Sequence, residues 1–451
     1  MSVSSTLTDQ FIDVLYALSR EPCPDAIVRA ARGRMLDYLG VALAGAAMQR
    51  ERGLRLLDAL GPASQEATAI GLGRKTSLPN SILVNGIHAH AAELDDGERR
   101  AMMHPGAPVL SALLPLAECR PMPDAKLLRG IVMGYEAAIR VAGALQPGMK
   151  ERGYHATGTC GTIGAAVAIA VALDFSRDEL KAALAAAATA ASGLLGVIRD
   201  ISDLKPFNAG HAALNGWYAA MVARAGFAGP REVLAGPEGF LSVMAAACNE
   251  DRLLGGAAPG YAIERVYMKP YAACRHCHPA IEAALALRRG HGLSPDAIRE
   301  VRVSTYRWAV HLHDHAEVEG EASAKMSTPY SVAVALGTGR AGMAEFAPPH
   351  VKDPQILALA RKVRVVEDPA LTALVPAARP AVVEIHTEAG ASHRVRVDLP
   401  KGEPENPVTD GELVEKFSGL ARYAGKTQPD VDALVKAIQA GDDLAGILKR
   451  V

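Results

Sequence analysis

Apolar side chains recur three and four positions apart from the start of the chain: Phe11, Val14, Leu15 and Leu18, then Ile27, Ala30, Ala31, Met35, Leu36 and Leu39. That spacing predicts two helices between residues 8 and 45. A short helix follows over 51–61, and 67–73 reads as a loop with one extended piece. A longer helix is expected over 78–97. Past the turn at Pro105-Gly106 the apolar run from Val109 to Pro115 restarts as a buried helix. Leu127, Leu128, Ile131, Val132, Tyr135, Ala138, Ile139 and Val141 form one helical face over 125–145, ended by Pro147-Gly148. Residues 157–173 and 182–197 are long uncharged runs rich in Ala and Gly, slightly short for a bilayer, and read as central helices. A further small-residue helix runs to Ala225.

After Gly260 the period changes from helical to two. Val301, Val303 and Thr305 alternate within 298–306, and Val382-Val-Glu-Ile-His386 and His393-Arg-Val-Arg-Val397 flank Glu388-Ala-Gly390 as a hairpin. Helical segments are expected between them at 278–290, 326–336 and 353–363. An α+β domain therefore begins near 265 and runs to about 400. Helix returns over 409–451 and is able to rejoin the first domain.

Composition narrows the class. At 451 residues, 49% hydrophobic, the chain can fill sizeable cores, yet only 4% of residues are aromatic and 42 are glycine. The core must come from close approach of small-residue helix faces. With 48 basic and 49 acidic residues the net charge is -1, which gives no bulk attraction to nucleic acid or an anionic membrane. The amino terminus lacks a basic region followed by an apolar run and meets Asp13 early, so the expectation is a cytoplasmic protein without a signal peptide. Six cysteines are sparse for this length and read as free thiols.

Chemistry gathers in a few stretches. His90-Ala-Ala-Glu-Leu-Asp-Asp-Gly97 precedes Met102-Met-His-Pro-Gly106. On a helix running to Gly97, Glu93 and Asp96 share one face and His104 returns over it; the plain alternative is a solvated helix end with a capping aspartate. Tyr154-His155-Ala-Thr-Gly opens a helix whose first amides suit a carboxylate, although no phosphate-loop Gly-Lys-Ser/Thr follows. Lys205 precedes another small-residue helix and suits an anion. Met268-Lys269-Pro-Tyr-Ala-Ala-Cys-Arg275-His276-Cys-His278 admits three readings: c-type haem attachment, zinc on Cys274, Cys277 and a histidine, or a cationic pocket for a polycarboxylate. The third fits best, since no export signal and no second ligand pair of matching spacing appear. Cations around a substrate with two or three carboxylates suit proton abstraction at the carbon next to a carboxylate. The carbanion then loses hydroxide, is reprotonated on the other face, or arises instead from loss of CO2.

Taken in order, Glu93-Leu-Asp-Asp-Gly97, His104-Pro-Gly106, Gly134-Tyr-Glu136, Tyr154-His155-x-Thr157, Lys205-x3-Ala-Gly-His-Ala-Ala213, Lys269-Pro-Tyr-x2-Cys-Arg-His-x-His278, Ser327-x-Pro-Tyr330 and Pro400-Lys-Gly-x-Pro404 resemble the MmgE/PrpD family across most of the chain. That family includes 2-methylcitrate dehydratase, cis-aconitate decarboxylase and iminodisuccinate epimerase. The resemblance implies a mainly α fold: a large all-helical domain, 1–264 completed by helices in 405–451, and a smaller α+β lid domain, 265–404, with a cleft between. It also implies a homodimer without cofactor or metal. Family active-site positions carry over to Glu93, Asp96, His104, His155, Lys205, Lys269 and Tyr330. The roles expected are base for His104 or Lys269, acid for His155 or Tyr330, and substrate binding for Glu93, Lys205, Arg275, His276 and His278, with Asp96 in the catalytic group. Two departures stand out. Where the decarboxylase branch resembles Asp-Asp-Thr this chain has Asp95-Asp96-Gly97, and where that branch has a histidine five after the second lysine it has Cys274. Both point away from cis-aconitate itself. The expectation is a lyase on a small di- or tricarboxylate, dehydration first, epimerisation next, decarboxylation third; a non-catalytic carboxylate binder and a zinc-dependent hydrolase are the readings from other classes.

Overall fold

The structure is a computed structural model that describes residues 5–62, 64–198, 202–255 and 260–451; residues 1–4, part of the stretch weighed above for a signal, lie outside the described residues. The fold is mainly α, and two compact units divide the chain. The first comprises residues 1–196, 204–267 and 409–451; the second comprises 197–203 and 268–408.

In the first unit α1 (Leu7–Arg20), α2 (Asp25–Met48) and α3 (Arg50–Ala59) lead to a two-stranded ribbon, β1 (Ala67–Ala69) antiparallel to β2 (Arg74–Thr76). Then come α4 (Leu78–Ala91), α5 (Gly106–Cys119), α6 (Asp124–Leu145), α7 (Ala156–Ala172), α8 (Arg177–Ala190) and α9 (Phe207–Arg224). Thr6 and Ser176 start α1 and α8 with capping boxes, each side chain accepting from the third helical amide. The long, almost uncharged α7 is buried along nearly its whole length, against α6 on one side and α9 on another. Small residues make that possible. A Cβ on Gly134 would lie 2.8 Å from the Ala168 methyl, and one on Gly164 would lie 2.7 Å from that of Ala138, so α6 and α7 touch through their backbones. At the crossing of α4 and α9 a Cβ on Gly210 would lie 2.4 Å from the Leu83 carbonyl oxygen. Scarce aromatics and abundant glycine thus become interhelical contact at backbone distance.

The second unit is α+β. Its sheet has the order β4-β3-β5-β6: β3 (Ile298–Thr305) is central, parallel to β4 (Val363–Glu367) and antiparallel to β5 (Ala381–Thr387), which pairs with β6 (Ser392–Val397). Between α9 and β3 lies α10 (His278–His291); α11 (Thr328–Thr338) and α12 (Pro354–Ala360) follow β3. The chain then returns to the first unit as α13 (Asp410–Tyr423), packed on α2, and α14 (Gln428–Ala440). Among the described residues no helix is long and apolar enough to cross a membrane.

The extended piece expected within 67–73 is β1, and its partner β2 follows the turn. Three expectations are corrected. The helix expected over 353–363 stops at Ala360, and Val363 opens the edge strand β4, whose parallel partner β3 lies far away in sequence. The second uncharged run leaves helix at Ala190. The helix expected over 78–97 ends at Ala91, and Glu93 takes a left-handed backbone (φ 57°). That conformation costs a non-glycine residue on the order of 1 kcal/mol and turns the chain out of the helix. Residues 94–105 then run as a loop whose Gly97 bridges to Tyr267.

Close approach at one glycine and open space at another predict opposite effects. Gly210→Ala should lower the unfolding free energy by about 1–3 kcal/mol because the new methyl meets backbone. Gly143→Ala, within α6 and with nothing inside 4 Å of the new carbon, should raise it by about 0.5–1 kcal/mol. Urea denaturation of the two variants beside wild type reads both signs.

Candidate active site

The turn at Glu93 decides what the acidic stretch does. Instead of sharing a helix face, Glu93, Asp95 and Asp96 splay from a buried loop in three directions. Glu93 accepts a hydrogen bond from the Lys205 ammonium, just ahead of α9. Asp96 turns inward: Oδ1 accepts from the Gly106 amide at 3.0 Å, Oδ2 from the Tyr135 hydroxyl at 2.6 Å. Gly106 is required there, since a Cβ would lie 2.6 Å from that hydroxyl and 2.7 Å from Asp96 Oδ1. Burial pushes the Asp96 carboxyl up to about 6, against the pull of the Arg34 guanidinium and the Tyr135 hydrogen bond. Burial first, and the Asp96 charge second, also hold the Tyr135 hydroxyl protonated.

Asp95 faces the histidines. His90 Nδ1, on the last turn of α4, lies 2.7 Å from Asp95 Oδ2, and His104 Nδ1 lies 3.5 Å from the same oxygen. His104 Nδ1 also lies 2.5 Å from the Asp96 carbonyl oxygen, an acceptor that requires the proton on Nδ1 and leaves the Nε2 lone pair for chemistry. Its amide donates to Thr157 Oγ1 at 3.1 Å. His155, the residue before α7, has the other tautomer, because the Asn208 amide group donates to its Nδ1 at 2.9 Å and Nε2 must carry the hydrogen. Burial, then the neighbouring His90, Lys205 and His104 charges, keep His155 well below the ordinary imidazole range. His90 bridges the two, with ring centroids 5.1 Å from His104 and 5.8 Å from His155. Lys416, on α13, ties the loop from behind by donating to Asp37 and to the Leu94 carbonyl.

Of the residues read from sequence, the first unit brings together Glu93, Asp96, His104, His155 and Lys205. Asp96, expected in the catalytic group, has its carboxyl on the Gly106 amide and the Tyr135 hydroxyl, and its carbonyl accepts from His104. The second unit holds Lys269, Arg275, His276, His278 and Tyr330. Arg275 donates to Glu403 at 2.7 Å with both side chains buried, and also to backbone carbonyls of Pro400 and Lys401. Desolvated charges must be paired, and Arg275 finds its carboxylate inside the protein. His278 accepts from Arg275 and bonds the Ala273 carbonyl, fixing the turn into α10. Tyr330, expected as an acid, is a core side chain donating to the Glu345 carbonyl, and burial raises its hydroxyl. Lys269 is fully buried. His276 meets the Tyr306 hydroxyl at 2.6 Å. Of the two cysteines weighed for zinc and set aside in favour of the cationic pocket, Cys277 accepts from the Thr328 hydroxyl.

His90, Asp95, Asn208 and Tyr135, outside the candidates read from sequence, contact them or one another here. Asn208 lies three residues after Lys205, and His90 and Asp95 stand inside the acidic stretch, but only the loop's return joins them.

A mainly helical protein with an added α+β unit, a buried carboxylate against His90 and His104, and His104 and His155 held as opposite tautomers defines an acid–base class of site. The chain belongs to the MmgE/PrpD family: the MmgE/PrpD N-terminal domain matches residues 9–250 and the MmgE/PrpD C-terminal domain matches 271–439. It is similar to a cis-aconitate decarboxylase-like protein of Aspergillus oryzae, 25% identical over 92% of this chain and 90% of that protein. The cis-aconitate decarboxylases of Mus musculus and Homo sapiens are each 24% identical over 97% of this chain, covering 91% and 92% of their own lengths.

Asp96 makes a pH prediction. Its folded value, about 6, lies above the 3.8 of the free side chain, so the stability it contributes as the neutral acid is present below about pH 4 and lost as pH rises through about 6. The loss is about 3 kcal/mol. Asp96→Asn should therefore gain stability relative to wild type between pH 4 and 6 and hold that gain above, read by chemical denaturation across pH; a flat difference refutes a buried, raised carboxyl.

Proposed function

We propose that this chain is a lyase acting on a small di- or tricarboxylate through a carbanion beside a carboxylate, with decarboxylation of an aconitate-like acid as the leading reaction. The observation that carries it is the pair of fixed orientations: His104 keeps its Nδ1 hydrogen on the Asp96 carbonyl, so Nε2 is the nitrogen that takes up or gives a proton, His155 offers Nε2–H, and Asp95 lies behind His104 to stabilise the imidazolium. Decarboxylation moves ahead of dehydration because the curated relatives quoted above are named for it and are matched over nearly their whole length.

In that reaction the bond from carbon to the departing carboxylate breaks, CO2 leaves, and the electron pair stays on carbon, delocalised into the neighbouring unsaturation. His104, as imidazolium, delivers the proton to that carbon. His155 donates from Nε2 to the substrate oxygen on which charge builds, a task for a neutral imidazole held neutral by burial. Lys205 exchanges its internal partner Glu93 for a substrate carboxylate. The same His104, starting neutral, is the base for dehydration or epimerisation.

The substrate is set apart from cis-aconitate by position 97. A Cβ there would lie 2.4 Å from the Tyr267 hydroxyl, so Tyr267 fills space that a side chain at 97 would need, and it faces the His104 ring edge-on. The reading includes a homodimer in the cytoplasm; exposed Phe207, Tyr218 and Val222 along α9 are apolar side chains suited to a subunit interface.

Proton NMR in deuterated buffer with cis- and trans-aconitate, citrate, 2-methylcitrate, malate, tartrate and iminodisuccinate tests the reading. The expected outcome is loss of CO2 with deuterium entering the product at the carbon that lost it. A new alkene without CO2 would replace decarboxylation by dehydration, and exchange with inversion would replace it by epimerisation. If every acid stays unchanged and undeuterated, the lyase reading yields to a carboxylate binder. His104→Gln should lower kcat by roughly 10²- to 10⁴-fold, and Lys205→Ala should act mainly on KM.

A further inference from the structure

The second unit brings three metal-binding side chains to one point. Cys274 precedes the turn into α10, His276 follows two residues later, and His313 lies in the segment after β3. One donor atom from each falls within 4.8 Å of the other two, and the cysteine and His313 are buried. Cys274 Sγ lies 3.9 Å from His313 Nε2. Bonds of about 2.3 Å to sulfur and 2.0–2.1 Å to nitrogen at a tetrahedral angle would place those atoms about 3.6 Å apart. A shift of a few tenths of an ångström would close that edge.

The surroundings are organised for ligation. His313 Nδ1 lies 2.7 Å from the Met326 carbonyl oxygen, which accepts its hydrogen and turns the Nε2 lone pair toward the cysteine. His276 Nδ1 meets the Tyr306 hydroxyl at 2.6 Å, leaving Nε2 as the ligating nitrogen. The backbone holds both sides in register: the Cys274 amide donates to the Lys325 carbonyl, and the Thr328 amide to the His313 carbonyl. Residues 325–328 thus clamp the cysteine and the distant histidine together.

We propose that Cys274, His276 and His313 bind a divalent transition ion of the zinc class. One thiolate and two neutral imidazoles suit such an ion and leave a fourth tetrahedral position for water or an anion. Binding displaces the thiol proton, so affinity falls in acid. Cys277, nearer to Cys274 in sequence, is outside the set. The site stands independently of the lyase reading, because it is measured by metal binding alone.

The test is titration of full-length, chelator-stripped protein with Co(II), followed by absorbance and by competition with Zn(II). The expected result is saturation at one ion per chain, with tetrahedral ligand-field bands and a thiolate-to-cobalt charge-transfer band that Zn(II) abolishes. Cys274→Ser should remove the charge-transfer band and Cys277→Ser should keep it. Tyr306→Phe, which leaves every ligand in place, should weaken binding by about 10-fold, and His313→Ala by more. Saturation without a thiolate band, or a band that survives Cys274→Ser, would overturn the proposal. If Cys274→Ser does not fold, the wild-type spectrum and the Cys277→Ser and Tyr306→Phe affinities decide it.

Discussion

Charge placed where water hardly reaches is the constraint on which the first unit turns. Glu93, Asp95 and Asp96 stand within four residues on a buried loop, and each side chain lies under a tenth exposed. A desolvated carboxylate persists only with partners, so each finds its own: a lysine, two imidazoles, and a tyrosine with a helix amide. Satisfying the acids orients the histidines. The proton that His104 gives the Asp96 carbonyl, and the one that His155 receives from Asn208, leave the outward nitrogens chemically opposite.

That arrangement depends on helices packed closely enough to exclude water. Gly134 against Gly164, and Gly210 against Leu83, bring backbones to distances that larger residues forbid. The same small residues leave the ends of α4, α5, α7 and α9 close together, and there the polar groups collect. Packing and chemistry therefore share a cause. Burial raises Asp96, lowers His155 and keeps Tyr135 protonated.

The second unit uses its cations differently. Arg275 is closed off by Glu403, and breaking such a buried pair by removing one partner costs about 3–5 kcal/mol. The pair joins the start of α10 to the segment after β6, and His278 and two carbonyls complete it. Within that run, Arg275 and His278 frame their own turn.

Local pattern determined much of this protein. Helical periodicity located most of the long helices, the change to alternation near Ile298 marked the sheet, and the ordered motifs carried the family. Glu93, His104, His155 and Lys205, which the first unit brings together, were legible as candidates because each stands beside a turn or helix start that the chain itself announces. Contacts across long separations were not legible. The left-handed turn at Glu93 overrode a continuous helical pattern, the edge strand β4 needed a partner more than fifty residues away, and His313 joined Cys274 and His276 only through the clamp at 325–328. Which carboxylate serves a histidine, and which cation is spent on an internal acid, is a question of desolvation and distance. Periodicity along a chain carries neither, so only the tertiary structure decided them.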